Sequence, residues 1–181
     1  MLSRRLFLGT AAAAPAAAFA AGRASKAGAA ETGLSSLTAN AQPIGAEERR
    51  ARIAKLQELM GRQKIGALLI ESGSSLDYFT GIQWWRSERT TAAVIPAKGE
   101  AIVVTPAFEE PSIRETLQIG GEVRPWNEHE SPFDLLAKAL PPGTVAVEPT
   151  IRFFIVDKLR QAAPKVTIVS GRCPGARLPH A

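Results

Sequence analysis

Five runs of four apolar or β-branched residues limit what this chain can become: Ala67-Leu68-Leu69-Ile70 and residues 92–95, 101–104, 144–147 and 166–169. Each is too short to be a buried helix and is bounded by Gly, Pro, Ser or charged residues, so each reads as a strand. The first is continuously apolar, the pattern of a strand covered on both faces. The second and third are separated by Pro96-Ala97-Lys98-Gly99 and form a β-hairpin, with Gly99 supplying the turn. A sixth, shorter strand passes through Val123 and ends at Pro125-Trp126.

Helical patterns lie between these runs. In residues 47–63, Ile53, Leu56 and Met60 recur at steps of three and four and form one apolar stripe. Glu47 and Glu48 at its start and Arg62 and Lys64 at its end suit the helix dipole. Ser72-Gly73-Ser74 breaks the first strand, and residues 76–81 form a short helical turn closed by Gly81. Pro111 opens a helix reaching Leu117, with Gly120-Gly121 as its stop. Ser131-Pro132-Phe133-Asp134 starts another, Ser131 capping, and Pro141-Pro142-Gly143 ends it. Thr150 is expected to cap a last helix with Ile151, Phe154, Ile155 and Leu159 on one side. Strands and helices that alternate through short links specify an α/β layer fold. The hairpin makes the six-stranded sheet mixed, with four or five flanking helices.

The flanks differ in character. Residues 1–20 join a charged start, Arg4-Arg5, to Phe7, Leu8 and a weakly apolar Ala run ending Ala18-Phe19-Ala20. That is the three-part layout of an export signal, and Ser-Arg-Arg-x-Phe-Leu resembles the twin-arginine leader. The expected address is the periplasm or the exterior, with membrane contact only during export. A spanning anchor needs about 20 strongly apolar residues, and this run is Ala-dominated and broken by Pro15. Residues 21–45, rich in Ala, Gly, Ser and Thr, read as a linker with too little apolar surface to fold. The folded domain is expected over residues 46–170, and residues 171–181, without periodicity, read as a loose tail.

Charge and cysteine content exclude several classes. The net charge is +5. Setting aside Arg4 and Arg5 leaves 20 basic against 17 acidic residues, too mild and dispersed an excess for a nucleic-acid partner. Cys173 is the single cysteine, so neither an internal disulfide nor a cysteine metal cluster forms within the chain. Glu128-His129-Glu130 invites a metal reading, but helical zinc ligation needs two His four residues apart, and the other histidine, His180, lies in the tail. A solvated loop is the expectation there. No Gly-rich phosphate loop or Gly-x-Ser-x-Gly elbow is present.

Asp77-Tyr78-Phe79-Thr80-Gly81, the helix and strand before it, the strand pair with Pro96 and Gly99-Glu100, and the order of the remaining elements together resemble the amino-terminal domain of the creatinase and Xaa-Pro peptidase family (aminopeptidase P, prolidase). The segment is similar to the family's N-x-x-Y-L-T-G signature, with Tyr78, Thr80 and Gly81 as its structural residues and Asp77 and Phe79 as departures. The resemblance implies a ribonuclease H-like α/β domain that helps build homo-oligomers and caps an active site. It also implies a pita-bread catalytic domain with two divalent metal ions, such as manganese, that cleaves peptides before proline. No ligand motif of that domain occurs in the sequence, so this chain is expected to bind no metal, to lack catalytic residues and to be inactive alone. A premature stop or frameshift is one expectation for the tail.

Ile82-Gln83-Trp84-Trp85-Arg86-Ser87-Glu88-Arg89-Thr90, held between two buried strands, is the natural place for recognition. By the resemblance, Trp84, Trp85 and Arg86 are the candidates for capping a neighbour's active site or meeting a partner. Against this stands a structural role, with one Trp in the domain's own core and Arg86 paired to Glu88. A free-standing exported binding or oligomerisation module and the amino-terminal domain of a creatinase-type amidinohydrolase are the other functions open at this point.

Overall fold

A computed structural model describes residue 38 and residues 40–171. The leader with Arg4 and Arg5, most of the linker, and residues 172–181 with Cys173 and His180 lie outside the described residues. The elements run α1 (Ala46–Gln63), β1 (Ala67–Glu71), α2 (Ser74–Thr80), β2 (Ala92–Pro96), β3 (Ala101–Pro106), α3 (Glu110–Thr116), β4 (Gly121–Trp126), α4 (Pro132–Ala139), β5 (Gly143–Val147), α5 (Phe153–Ala162) and β6 (Val166–Ser170). The fold is thus the expected α/β one, with a mixed six-stranded sheet and five helices.

The sheet order is β4-β3-β2-β1-β5-β6. β2 is antiparallel to both β1 and β3, while the β1–β5, β3–β4 and β5–β6 pairs are parallel. All strands but β2 therefore end at one edge of the sheet, where Glu71, Pro106, Trp126, Val147 and Ser170 lie. After β1 the chain builds outward through β2, β3 and β4, then returns through α4 to place β5 on β1's other side. The carboxyl ends of β1 and β5 flank this reversal, which is where open α/β sheets leave a crevice.

Because strand side chains alternate, β1 serves two cores. Leu68 and Ile70 join Leu56 and Met60 of α1, Leu76 and Phe79 of α2, and Ile113 of α3. Ala67 and Leu69 join Leu136 of α4, Ile155 and Leu159 of α5, and Val94, Val145 and Val147 of the neighbouring strands. The continuous apolar run at 67–70 is explained by these two covered faces.

Several local expectations are corrected. Gly120-Gly121 does not stop α3, which already ends in an extended Leu117. Gly121 instead begins β4 with φ +155°, and a Cβ there would meet the Ala101 carbonyl oxygen at 2.6 Å. Gly121→Ala is therefore expected to cost about 2 kcal/mol, in the range of a strained backbone site, read as a lower urea midpoint with unchanged slope. Ser131 does precede α4, but its hydroxyl makes no cap bond. Thr150 does not cap α5: the helix starts at Phe153 with Arg152 as N-cap. The start is delayed because Arg152 is drawn into an ion pair with Glu71. Phe154 is 39% exposed and so does not share the buried face of Ile155 and Leu159. Gly171 is buried, and its N–H donates to Val147 O at 2.8 Å.

Candidate functional site

The turn that launches the aromatic loop is fixed by its own polar atoms. Thr80 Oγ1 donates to Leu76 O at 2.6 Å and accepts from Ile82 N–H at 3.1 Å. Gly81 takes the left-handed conformation, φ +85°, that closes α2, and its N–H donates to Asp77 O. Any side chain at 81 would also collide with Gln118. Tyr78 packs edge-on against Phe79 at 4.9 Å, and the Arg52 guanidinium lies 4.0 Å from the Tyr78 ring centroid. The departure at Asp77 has a local partner: buried Arg49 donates to its carboxylate at 3.0 Å, to its carbonyl, and to Gln118 Oε1 at 3.0 Å.

From Gly81 the chain crosses the carboxyl edge to β2, and the three candidate residues diverge. Trp84 is half-buried against the core beneath α1–α3, and its indole N–H donates to Glu109 Oε2 at 3.0 Å. The same oxygen accepts from Thr91 at 3.0 Å and Thr105 at 3.4 Å, tying the loop to the ends of β2 and β3. Trp85 is 89% exposed. Arg86 does not pair with Glu88. Its Nε donates to Ser72 O at 3.2 Å and its Nη2 to Thr150 O at 2.9 Å, with Glu71 Oε2 3.5 Å away. Glu88 pairs instead with Arg89 at 2.7 Å. The correction has a simple cause: backbone acceptors left open past the ends of β1 and β5 are nearer to Arg86 than the neighbouring exposed carboxylate.

Beneath the loop lies a buried polar network that the sequence reading missed. Glu71, the last residue of β1, is fully buried, and Glu148, just past β5, is 6% exposed. Glu148 Oε1 accepts from the Glu71 N–H at 2.6 Å. Arg152 pairs with the Glu71 carboxylate through its side chain, donates to it through its backbone N–H at 3.2 Å, and reaches Ser87 O at 2.6 Å. The buried Glu71 carboxylate thus pairs with Arg152 and lies 3.5 Å from Arg86, as a buried charge requires, while Glu148 accepts from the Glu71 N–H and from Thr150 Oγ1. A signal was present: Ala-Leu-Leu-Ile-Glu71 and Thr-Val-Ala-Val-Glu148 both end an apolar run on a glutamate. A charge directly abutting a buried strand marks the strand end that meets a polar network.

Two clefts share Gly73, Ser74 and Trp85. One, of about 370 Å³, is completed by Asp77, Gln83 and Trp84; the other, of about 430 Å³, by Ser72, Arg86, Glu148 and Thr150. The exposed Trp85 indole forms a wall common to both. Such an arrangement can stack on or dock a partner; it offers no activated nucleophile. Among the described residues, no group of three or more His, Cys, Asp or Glu side chains could hold a metal ion. Glu71 does not fit one either, since Arg152 and Arg86 already neutralise it.

Trp84→Phe is expected to cost about 1 kcal/mol through the lost bond to Glu109, measured by urea unfolding. The Glu128-His129-Glu130 segment has a structural account: Glu128 pairs with Arg89 at 2.6 Å, and Glu130 Oε2 accepts from Asn127 N–H at 2.7 Å. The Asn127 backbone and side-chain donors hold the Glu130 carboxyl below the usual carboxylate range. A depressed folded-state pKa adds stability above the unfolded value, lost as pH falls through the folded one. Wild type is therefore expected to exceed Glu130→Gln slightly at neutral pH, and the gap to close on acidification in parallel thermal melts.

Comparison with known proteins agrees with this architecture. Residues 52–173 match the Creatinase/Prolidase N-terminal domain family. The chain is 30% identical over 145 residues to an uncharacterized peptidase of Schizosaccharomyces pombe, covering 72% of this chain and 32% of that protein. The dipeptidase PepE of Mycobacterium ulcerans superposes with TM-score 0.63 and 27% identity over 72% of this chain and 36% of its own. The separately solved Creatinase/Prolidase N-terminal domain of an X-Pro dipeptidase from Streptococcus pyogenes gives TM-score 0.58 at 14% identity, over 66% of this chain and 98% of that domain, a likeness of fold. The chain spans about a third of the length of the S. pombe and M. ulcerans proteins.

Proposed function

Because the chain belongs to the Creatinase/Prolidase N-terminal domain family, we propose that it serves as the non-catalytic amino-terminal domain of an exported Xaa-Pro peptidase-like metallohydrolase. Its own contribution is assembly and capping: the segment Trp84-Trp85-Arg86 presents Trp85 toward a proline-containing peptide or a neighbouring subunit. The observation that carries this reading is Trp85 itself, 89% exposed on a loop that Arg86, Arg152 and Glu109 fasten at three points. A large apolar side chain left in water on a fastened loop forgoes about 2 kcal/mol of burial, which a binding role accounts for and a folding role does not. Metal-assisted hydrolysis belongs, in this reading, to a catalytic domain with its own ligands. The twin-arginine pattern at Arg4-Arg5 supports a periplasmic address.

The direct test is to supply the purified 181-residue chain with manganese and an Xaa-Pro dipeptide. No turnover above the metal-only rate is expected, and proline release would contradict the non-catalytic assignment.

A further inference from the structure

The cleft of about 370 Å³ lined by Gly73, Ser74, Asp77, Gln83, Trp84 and Trp85 combines two indoles with one ionisable group, the Asp77 carboxylate. No lysine or arginine lines it. Arg86, next to Trp85 in the chain, is drawn to Ser72 O and Thr150 O and lines the neighbouring cleft instead. Arg49 is buried and takes Asp77 Oδ1 at 3.0 Å without lining the cleft itself. Among the described residues, Asp77 Oδ2 accepts no hydrogen bond.

The indole faces are unpartnered in the same sense. Among the described residues, guanidinium groups stack on Tyr78, Phe108 and Phe154, at 4.0, 5.1 and 4.7 Å from the ring centroids. Neither Trp84 nor Trp85 carries a cation, although indole is the side chain that attracts one best. The polar edge of Trp84 is taken by Glu109, so what Trp84 lends the cleft is its ring. Trp85 stands exposed beside it, on a loop that Arg86 and Arg152 fasten through backbone carbonyls. Two rings are thus set in place before any ligand arrives, and little conformational entropy opposes binding.

The chemistry of the occupant follows from this lining. An anion would meet the Asp77 carboxylate and find no cation among the lining residues. A neutral apolar molecule would use the rings and leave Asp77 Oδ2 idle. An organic cation uses both, the indole faces through their quadrupoles and the carboxylate through its charge. An ammonium like that of lysine is strongly hydrated and must find acceptors for three N–H bonds. A fully alkylated ammonium has no such donors and surrenders little hydration on meeting two rings. The cleft volume also lies within the range of small-molecule sites, about 300–1,000 Å³.

We infer that this cleft is a binding site for a small quaternary ammonium ligand, with Trp84 and Trp85 supplying the cation–π faces and Asp77 the counter-charge. The site is built from this chain's residues alone and goes beyond the capping role, since it needs no catalytic domain.

Titration of the purified 181-residue chain with tetramethylammonium chloride, replacing sodium chloride at constant ionic strength, tests the inference through tryptophan emission. Trp126, buried and bonded to Thr90 O, contributes a constant background. A saturable change at millimolar concentrations is expected. Trp85→Ala should weaken binding about tenfold, the scale of one partly desolvated cation–π contact, and Lys98→Ala in the β2–β3 hairpin should bind as wild type. The Trp85 side chain is exposed, and matching circular dichroism confirms that the variant folds. The neutral isostere tert-butanol should give no saturable response over the same range, and methylammonium should bind at least tenfold more weakly. An unsaturable response to tetramethylammonium, equal binding of tert-butanol, or indifference to Trp85→Ala overturns the inference. Methylammonium binding as tightly as tetramethylammonium overturns it too, and assigns the cleft to lysine side chains of a protein partner. The readout involves no hydrolysis, so proline release by the chain would sink the proposed function and leave this result standing, and an unsaturable titration would do the reverse.

Discussion

Glu71→Ala is expected to lower the unfolding free energy by about 3–5 kcal/mol, the loss seen when one partner of a buried ion pair is removed. Glu71 is fully buried, Arg152 bonds it with side chain and backbone, and Arg86 stands 3.5 Å away. Removing the carboxylate takes away the ion-pair partner of Arg152 and leaves the Arg152 N–H without its acceptor. The damage should be local as well as global. Arg152 also holds Ser87 O, so amide exchange across residues 82–91 should accelerate more than in the sheet. Glu71→Gln keeps the shape and one acceptor and should cost less than Glu71→Ala. Replacing Glu71 and Arg152 together by leucine and methionine should recover part of the loss, because the pair's desolvation disappears with its attraction. A single-variant effect below about 1 kcal/mol in urea titrations would mean that the network does not bear on folding, since that is the scale of an exposed pair.

Leu69→Ala is expected to cost about 3–5 kcal/mol, the upper part of the range for buried leucine truncations. Leu69 is fully buried at the middle of the central strand, with Val94 of β2 and Val147 of β5 as register partners on its two sides. Backbone ladders on both flanks and α4 and α5 above prevent the site from collapsing onto the space vacated, so the cavity persists. Domains are typically stable by only about 5–15 kcal/mol, so this variant should be partly unfolded near body temperature. A large drop in the urea midpoint with little change in slope is the expected signature. A shift of a few tenths of a kcal/mol would mean that the packing around β1 is far looser than the structure has it.

The fold was legible because its signals are local and redundant. The apolar run at 67–70, the Pro-Ala-Lys-Gly hairpin at 96–99 and the Pro111 and Pro132 helix starts each depend on a few adjacent residues, and all point to one α/β layer arrangement. What failed depends on contacts distant in sequence. The start of α5 was misplaced because Arg152 answers to Glu71, 81 residues away. Arg86 was given the nearest acid, Glu88, whereas its acceptors are backbone carbonyls at 72 and 150. The divergence of Trp84 and Trp85 was equally unreadable, since Glu109 and the two threonines that seat Trp84 come from α3's approach and the β2 and β3 ends. Composition singled out the loop at 82–90, but which of its side chains are seated and which stand exposed required the sheet.

The measurement that bears most directly on the domain's assignment is the activity of a chimera. Residues 46–171 of this chain replace the corresponding amino-terminal domain of the Mycobacterium ulcerans dipeptidase. The account predicts a soluble enzyme that cleaves the parent's dipeptide substrate, and a marked fall in kcat/KM when Trp85→Ala is introduced into it. A chimera that folds, with native circular dichroism and the parent's assembly state, yet hydrolyses nothing, or one indifferent to Trp85, would contradict the claim that this chain is a capping domain of that family.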